Sequence, residues 1–510
     1  MSDFTNTPTP DQLRREVSEF LKNKYGDRIN VPPEPDSSGE PPPAGHDKKQ
    51  GIASIDFNLK PSELEGYLKD YVVDQEEAVE VLATKICTHF NRMKLETKPN
   101  GVGELVGNIK SNMLMVGPTG VGKTYIIKLI AKKIGVPFVK GDATKFSETG
   151  YVGGDVEELV RDLVRDADGD IKLAEYGIIY LDEIDKIASS GSSYGPDVSR
   201  SGVQRNLLKL MEESEVDIKT PHDLAAQMEA AMEAQRTGKV TRKKVNTKNI
   251  LFVMSGAFSG LPDIIRRRLN QQPIGFRDER EETLSGKSNQ DILHFLRSED
   301  LIKYGFESEF VGRLPVVVTL HDLDVEGLYR ILNNPNSTVV LGKKRDFMAY
   351  DIEIEFDDEA LQRIAERAYE EHTGARGLVS VVDRLLLKFE KKLPDTEIRS
   401  FRVTRALVEN PAAELSSLLL RHYLKSFQRR FLASNNIVIT FTDEAISLLT
   451  ERADQEGVNF EQVCTDLLHD YEYGLRLLGC DTFQVDGEIV RNPKERLEEL
   501  ITKSFRKKSR

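Results

Sequence analysis

Cysteine is scarce in this chain. Cys87, Cys464 and Cys480 are the only three in 510 residues, they lie far apart and they form no Cys-x-x-Cys pair, which argues against a disulfide framework or a zinc ribbon and leaves them as apolar fillers. Long apolar runs are missing too, so no helical membrane span is expected. From Met1 onward there is no basic stretch followed by an apolar core; no secretory leader is read, and a cytoplasmic location is the expectation. Positive charge is in deficit, with 71 Lys and Arg against 84 Asp and Glu, a net charge of -13. The chain as a whole therefore does not attract nucleic-acid phosphates, and protein and nucleotide partners are expected instead.

What is present divides along the chain. Its length exceeds what one hydrophobic core usually organises. In residues 1–58, Leu13, Val17, Phe20 and Leu21 recur at helical spacing and predict a short amphipathic helix over 11–24. The Pro-, Gly- and Ser-rich run from Pro32 to Gly51 that follows buries too little apolar surface to offset its conformational entropy and reads as a disordered linker. Five short apolar runs then alternate with helix-length segments: Met113–Val116, Pro137–Val139, Ile178–Leu181, Ile250–Met254 and Val316–Leu320. That alternation predicts an α/β domain over 59–323 with a parallel sheet covered on both faces. A mainly helical small domain is expected over 324–400, with a strand at Asp351–Phe356. The tail, 401–510, holds an internal repeat: IEIEFDDEALQRIAERA at 352–368 aligns without gaps on IVITFTDEAISLLTERA at 437–453, predicting a second, decayed copy of the small domain at about 435–490.

Two motifs carry chemistry. Gly117-Pro118-Thr119-Gly120-Val121-Gly122-Lys123-Thr124 follows an apolar strand and opens a helix with Ile126, Ile130 and Ile134 on one face. Its glycines let backbone N–H groups converge on phosphate oxygens, Lys123 neutralises β/γ charge and Thr124 is placed to ligate Mg2+. Asp182-Glu183 ends the strand Ile178–Leu181, 59 residues after Lys123 with one strand between. A parallel sheet would deliver both carboxylates to the edge where the phosphate loop lies, Asp182 for the metal and Glu183 for the attacking water.

Together with DATKFSETGYVGGDVEELVRDL, GVQRNLLKLMEE, NILFVMSGAFSGL, DLIKYGFESEFVGRLPVV and HTGARGL, these motifs resemble the ClpX family of AAA+ protein unfoldases from about Pro61 to Pro394. The related HslU type carries a large insertion between the two nucleotide motifs, for which the spacing here leaves no room. The resemblance implies a homohexameric ring that hydrolyses ATP with Mg2+, unfolds protein substrates and passes them to a ClpP-like peptidase, or else dismantles complexes without one. Lys123, Glu183 and Arg313 would be catalytic, Arg313 as a finger donated to a neighbouring subunit. Val72 and Val73 would contact the base, Pro118, Thr119, Gly120, Val121, Gly122, Lys123, Thr124 and Tyr125 the phosphates and ribose side, and Asp182 and Arg376 the nucleotide from the sheet edge and the small domain. Thr124 and Asp182 would hold the metal, and Ser255 would sense the γ-phosphate. In the loop Gly150–Gly153, Tyr151 and Val152 would grip substrate in a pore, and Ile274-Gly275-Phe276, isolated in the polar stretch from Arg266 to Asn289, would dock the peptidase.

Four departures stand against that pattern. Asp74 occupies a position where the family often has glycine. The four cysteines of the family's N-terminal zinc domain are missing. An insertion at about Thr220–Lys239 replaces part of the second pore segment and is followed by Arg242-Lys243-Lys244. The repeated tail has no counterpart, and it places Glu461 where the first copy has Arg376, so no ATP chemistry is expected of it.

Overall fold

The computed structural model describes residues 55, 58–96, 110–146, 155–189, 198–218, 243–270, 288–456, 460–478 and 480–508. The helix and linker expected before residue 55, Tyr151 and Val152 of the pore loop, the Thr220–Lys239 insertion and the tripeptide Ile274-Gly275-Phe276 lie outside the described residues.

Among the described residues seven strands belong to the first unit: β1 (Met113–Val116), β2 (Phe138–Asp142), β3 (Ile178–Asp182), β4 (Glu215–Asp217), β5 (Lys244–Asn246), β6 (Leu251–Gly256) and β7 (Val316–Thr319). Five form a parallel sheet in the order β2-β3-β6-β1-β7. Every residue of β1 and β6 is buried, so both faces are covered, and this is why these segments are almost uninterrupted apolar sequence. Helices α1 (Glu76–Glu96) and α2 (Lys123–Ile134) share one continuous core with the sheet. The α/β class, with its five-stranded parallel sheet, is thus as expected.

Boundaries moved. The second strand extends through Gly141 and Asp142, and the fourth through Ser255 and Gly256, because these small or polar residues still pair in the ladder. Ladder pairing, with burial in addition at Ser255 and Gly256, overrides their weak strand propensity. The antiparallel pair β4–β5 was not anticipated, since three residues per strand leave no alternation to read.

The second unit has its own core, running from Leu323 to Leu415. It contains α3 (Val325–Asn333), α4 (Thr338–Met348), β8 (Glu353–Phe356), α5 (Asp358–Glu370), α6 (Ala375–Lys392), β9 (Ser400–Val403), α7 (Arg405–Glu409) and the start of α8 (Pro411–Asn435). β8 and β9 pair in parallel, and Phe401 stacks on Phe389 at 5.4 Å between ring centres. Phe401, Val403 and Leu407 all sit in this core, so the boundary expected after residue 400 falls on the first residue of β9.

The third unit repeats the second. The far half of α8 supplies Leu424, Phe427 and Phe431 to a separate core, followed by β10 (Val438–Phe441), α9 (Asp443–Glu456), α10 (Phe460–Leu478), β11 (Thr482–Val485), α11 (Gly487–Arg491) and α12 (Pro493–Lys508). β10 and β11 again pair in parallel. In both units a five-residue helix follows the second strand, capped by Thr404 on Leu407 N in one and by Asp486 on Ile489 N in the other. In both, an Asn-Pro step, Asn410-Pro411 or Asn492-Pro493, then starts a longer helix. The copy therefore extends past residue 490, where the sequence expectation ended it. Helix α8 closes the first copy and opens the second. Among the described residues no helix is long and apolar enough to cross a membrane.

Candidate nucleotide site

The strands run parallel, so β1, β3 and β6 end on one edge, and there the chain turns from Val116 through Gly117–Gly122 into α2. Gly122 has φ 93° and caps α2 without a side-chain hydrogen bond, leaving the first N–H groups of the helix to a ligand. Gly120 has φ 80°, and a Cβ there would lie 2.1 Å from the Thr373 carbonyl oxygen. Only glycine meets both demands. Ala375 N donates to Gly120 O at 2.9 Å, joining the loop directly to the first turn of α6 in the small unit.

Lys123 is buried, and its Nζ donates to the carbonyls of Gly117 and Pro118, each at 2.6 Å. Burial pushes the ammonium pKa down, although the Asp182 and Asp185 charges work against that shift. A cation desolvated among neutral carbonyls fits an incoming polyphosphate. At the end of β3, burial works to raise the Asp182 carboxyl, but the Ser255 hydroxyl at 2.7 Å and the Lys140 ammonium at 3.1 Å outweigh it and hold its pKa below the usual range.

Asp182 and Thr124 are joined by one chain of hydroxyls. Thr124 Oγ1 donates to Tyr180 OH at 3.1 Å, Tyr180 OH lies 2.6 Å from Ser255 Oγ, and Ser255 Oγ donates to Asp182. Tyr180 is fully buried, which pushes its phenol up to about 12 and keeps it neutral. The chain connects both side chains expected to hold a metal. Glu183 follows at φ 57°, a left-handed conformation that costs a non-glycine residue about 1–2 kcal/mol and turns the chain sharply at the edge of the cleft.

These groups line one cleft of about 380 Å³, within the range of roughly 300–1,000 Å³ typical of ligand sites. Of the residues singled out in the sequence, Val72, Val73, Thr119, Gly120, Val121, Gly122, Lys123, Thr124, Tyr125, Asp182, Glu183 and Arg376 all lie on its wall. Pro118 contributes its carbonyl to Lys123, and Ser255 acts through Asp182. The small unit supplies Ile331, Ser337 and Val339, which the sequence reading did not pick out. Ser337 Oγ is buried and has no hydrogen-bond partner among the described residues, which leaves it free to bond a ligand in the cleft.

Asp74 also finds its reason. It has φ 60°, the left-handed region that favours glycine and that Asp tolerates better than most residues. Its carboxylate pairs with Arg330 on α3, while Asn334 and Asn336 donate to Asp70 O at 3.0 and 3.1 Å. The segment carrying Val72 and Val73 is thereby tied to the small unit.

Arg313 is not in this cleft. It follows the helix Ser308–Gly312 and precedes β7, at the opposite edge of the sheet, roughly 13 Å away by the rise of a four-residue strand. Half exposed, it pairs with Glu212 at 2.6 Å, and its carbonyl accepts from Asn112 Nδ2 at 3.3 Å.

Comparison with known proteins agrees with this architecture. Residues 108–317 match the AAA domain (Cdc48 subfamily), and residues 336–393 match the C-terminal, D2-small domain, of ClpB protein. The chain is 37% identical over 363 residues to the ATP-dependent Clp protease ATP-binding subunit ClpX of Treponema denticola, covering 71% of this chain and 84% of the relative. It is 38% identical over 379 residues to the protein of the same description from Borrelia duttonii, covering 74% and 84%.

Proposed function

Because the chain belongs to the ClpX family of AAA+ ATPases, we propose that it assembles into a homohexameric cytoplasmic ring that unfolds proteins by ATP hydrolysis and threads them to a ClpP-like peptidase. The observation that carries the ring is the separation of Arg313 from the cleft of its own chain. A nucleotide site whose described lining holds Lys123, Asp182 and Glu183 but not Arg313 is completed by a second copy presenting its opposite edge. Within each site, Lys123 and Arg376 neutralise phosphate charge, and Glu183 orients the attacking water and takes its proton. Thr124 and Asp182 are the residues that would hold Mg2+, which when bound neutralises charge on the β- and γ-phosphates. Val72, Val73, Ile331 and Val339 offer apolar contact to the base. Tyr151 and Val152 would convert turnover into grip on a polypeptide, and Ile274, Gly275 and Phe276 would seat in an apolar pocket of the peptidase.

Mixing variants tests the shared site. Glu183→Gln should bind ATP without hydrolysing it, and Arg313→Ala should also be nearly inactive; mixed rings should regain turnover, because one copy's intact cleft meets the other's intact finger. No recovery at any mixing ratio would refute the trans arrangement. Phe276→Asp should abolish degradation of a tagged substrate by added peptidase and spare ATP turnover. Unfolding without degradation in the unaltered chain would instead favour a remodeller that works without a protease.

A further inference from the structure

Away from the nucleotide cleft, three metal-ligating side chains from separate elements meet. Glu77 lies in the first turn of α1, His294 caps the C-terminal end of the helix Asn289–Leu293, and His321 follows β7 where the chain leaves for the small unit. One carboxylate oxygen and two ring nitrogens lie within 4.8 Å of one another. The two imidazoles are 5.2 Å apart between centres, tilted by 38°. His294 Nδ1 stands 3.6 Å from Glu77 Oε2, too far for a hydrogen bond, and among the described residues neither ring makes one elsewhere.

The backbone beneath the cluster is held firmly. Buried Gln75 donates through Nε2 to His321 O at 2.9 Å and accepts from His321 N at 3.0 Å through Oε1. The ligand atoms themselves remain reachable, since the side chains of Glu77 and His294 are exposed. An ion bound tetrahedrally at about 2.0–2.1 Å spaces its ligand atoms by roughly 3.4 Å, and small side-chain rotations close the present separations to that value. Two imidazoles and one carboxylate form a donor set for borderline transition metals, whereas Mg2+ and Ca2+ favour all-oxygen shells.

We propose that Glu77, His294 and His321 bind one divalent transition-metal ion, zinc above all, with the remaining coordination open to water. The site is separate from the one expected for Mg2+ at Thr124 and Asp182. An ion there joins the helix that follows the base-contacting segment Val72–Val73, the helix that follows residues 271–287, and the connection that carries the small unit. Its occupancy therefore restrains that connection.

The test is calorimetric titration of the full chain, free of nucleotide and magnesium, with zinc chloride. The unaltered chain should bind one equivalent more than His294→Ala/His321→Ala, and Glu77→Gln should weaken that event by about tenfold or more. Cobalt(II) should give visible absorption bands in the unaltered chain that the double variant lacks. Equal stoichiometry and affinity in both proteins, with zinc held only by other residues, would overturn the proposal, as would no binding at micromolar free zinc. Should the double variant fail to fold, His294→Asn alone, on a side chain 37% exposed, gives the same comparison.

Discussion

Arg268→Met puts the packing of the first unit to a quantitative test. The helix Leu261–Asn270 is fastened to the helix Ser298–Tyr304 by a two-pronged pair, with Arg268 Nε at 2.8 Å from Asp300 Oδ1 and Nη2 at 3.0 Å from Oδ2. Arg268 is 6% exposed and Asp300 not at all. The same guanidinium donates to Phe295 O at 2.5 Å. Methionine keeps much of the volume and removes the charge, so the Asp300 carboxylate stays in the core with only the Arg297 N–H at 3.0 Å for support. An uncompensated buried charge of this kind costs about 3–5 kcal/mol. At about 2–4 °C per kcal/mol for a unit of this size, the unfolding midpoint should fall by roughly 6–20 °C. Scanning calorimetry and urea titration measure the fall directly. The double variant Arg268→Met/Asp300→Leu should recover most of it, because replacing both partners by apolar groups leaves no orphan. A single variant within about 1 kcal/mol of the unaltered chain would refute the reasoning, and so would a double variant as unstable as the sum of the single ones.

Tyr180→Phe interrupts the hydroxyl chain between Thr124 and Asp182 while preserving the buried ring; steady-state ATP turnover should drop by about 5–100-fold, equivalent to about 1–3 kcal/mol, with little change in fold, and an unchanged kcat would dismiss the relay. Ser337→Ala removes a buried hydroxyl that has no hydrogen-bond partner among the described residues, so stability should hold or rise while ATP affinity falls by about fivefold, read by calorimetry; equal affinity would mean the nucleotide does not use it. His89 is buried with its ring 3.2 Å from Asn249 O, and burial pushes its pKa from 6.5 down to about 4. The unfolded chain takes up that proton near 6.5 and the folded chain only near 4, so this contribution is complete above pH 6.5 and is lost as pH falls toward 4, by about 3 kcal/mol in all. Urea unfolding at about pH 7.5 and about pH 4.5 should show the loss, and His89→Gln should flatten it.

The parts of the site that could be read in advance are those encoded in contiguous residues. The loop Gly117–Thr124 and the pair Asp182-Glu183 each sit at a strand end, so recognising the strand also located the carboxylates. Ser337 and Ile331 could not be found that way. They belong to the small unit and reach the cleft only because α6 is joined to Gly120 and Arg330 to Asp74, contacts that cross 255 and 256 positions of sequence. Tyr180 looked like any apolar strand residue until Ser255 and Thr124 were placed around its hydroxyl. Strands β9 and β11 escaped because four residues between helices carry too little alternation to register. The repeat itself was legible where its strand and helix aligned residue for residue; its end was not, since Asn492-Pro493 signals a new helix only once Asn410-Pro411 is seen to do the same.

Helix α8 has a mechanical consequence. Its 25 residues span about 37 Å without a break, and its two halves are cemented into different cores by Leu415 at one end and Phe427 and Phe431 at the other. The duplicated unit is thus mounted on a stiff beam rather than trailing on a tether. A tilt of about 10° at the first turn sweeps the far end through about 6 Å, so whatever the tail touches is displaced in step with the small unit that bears it.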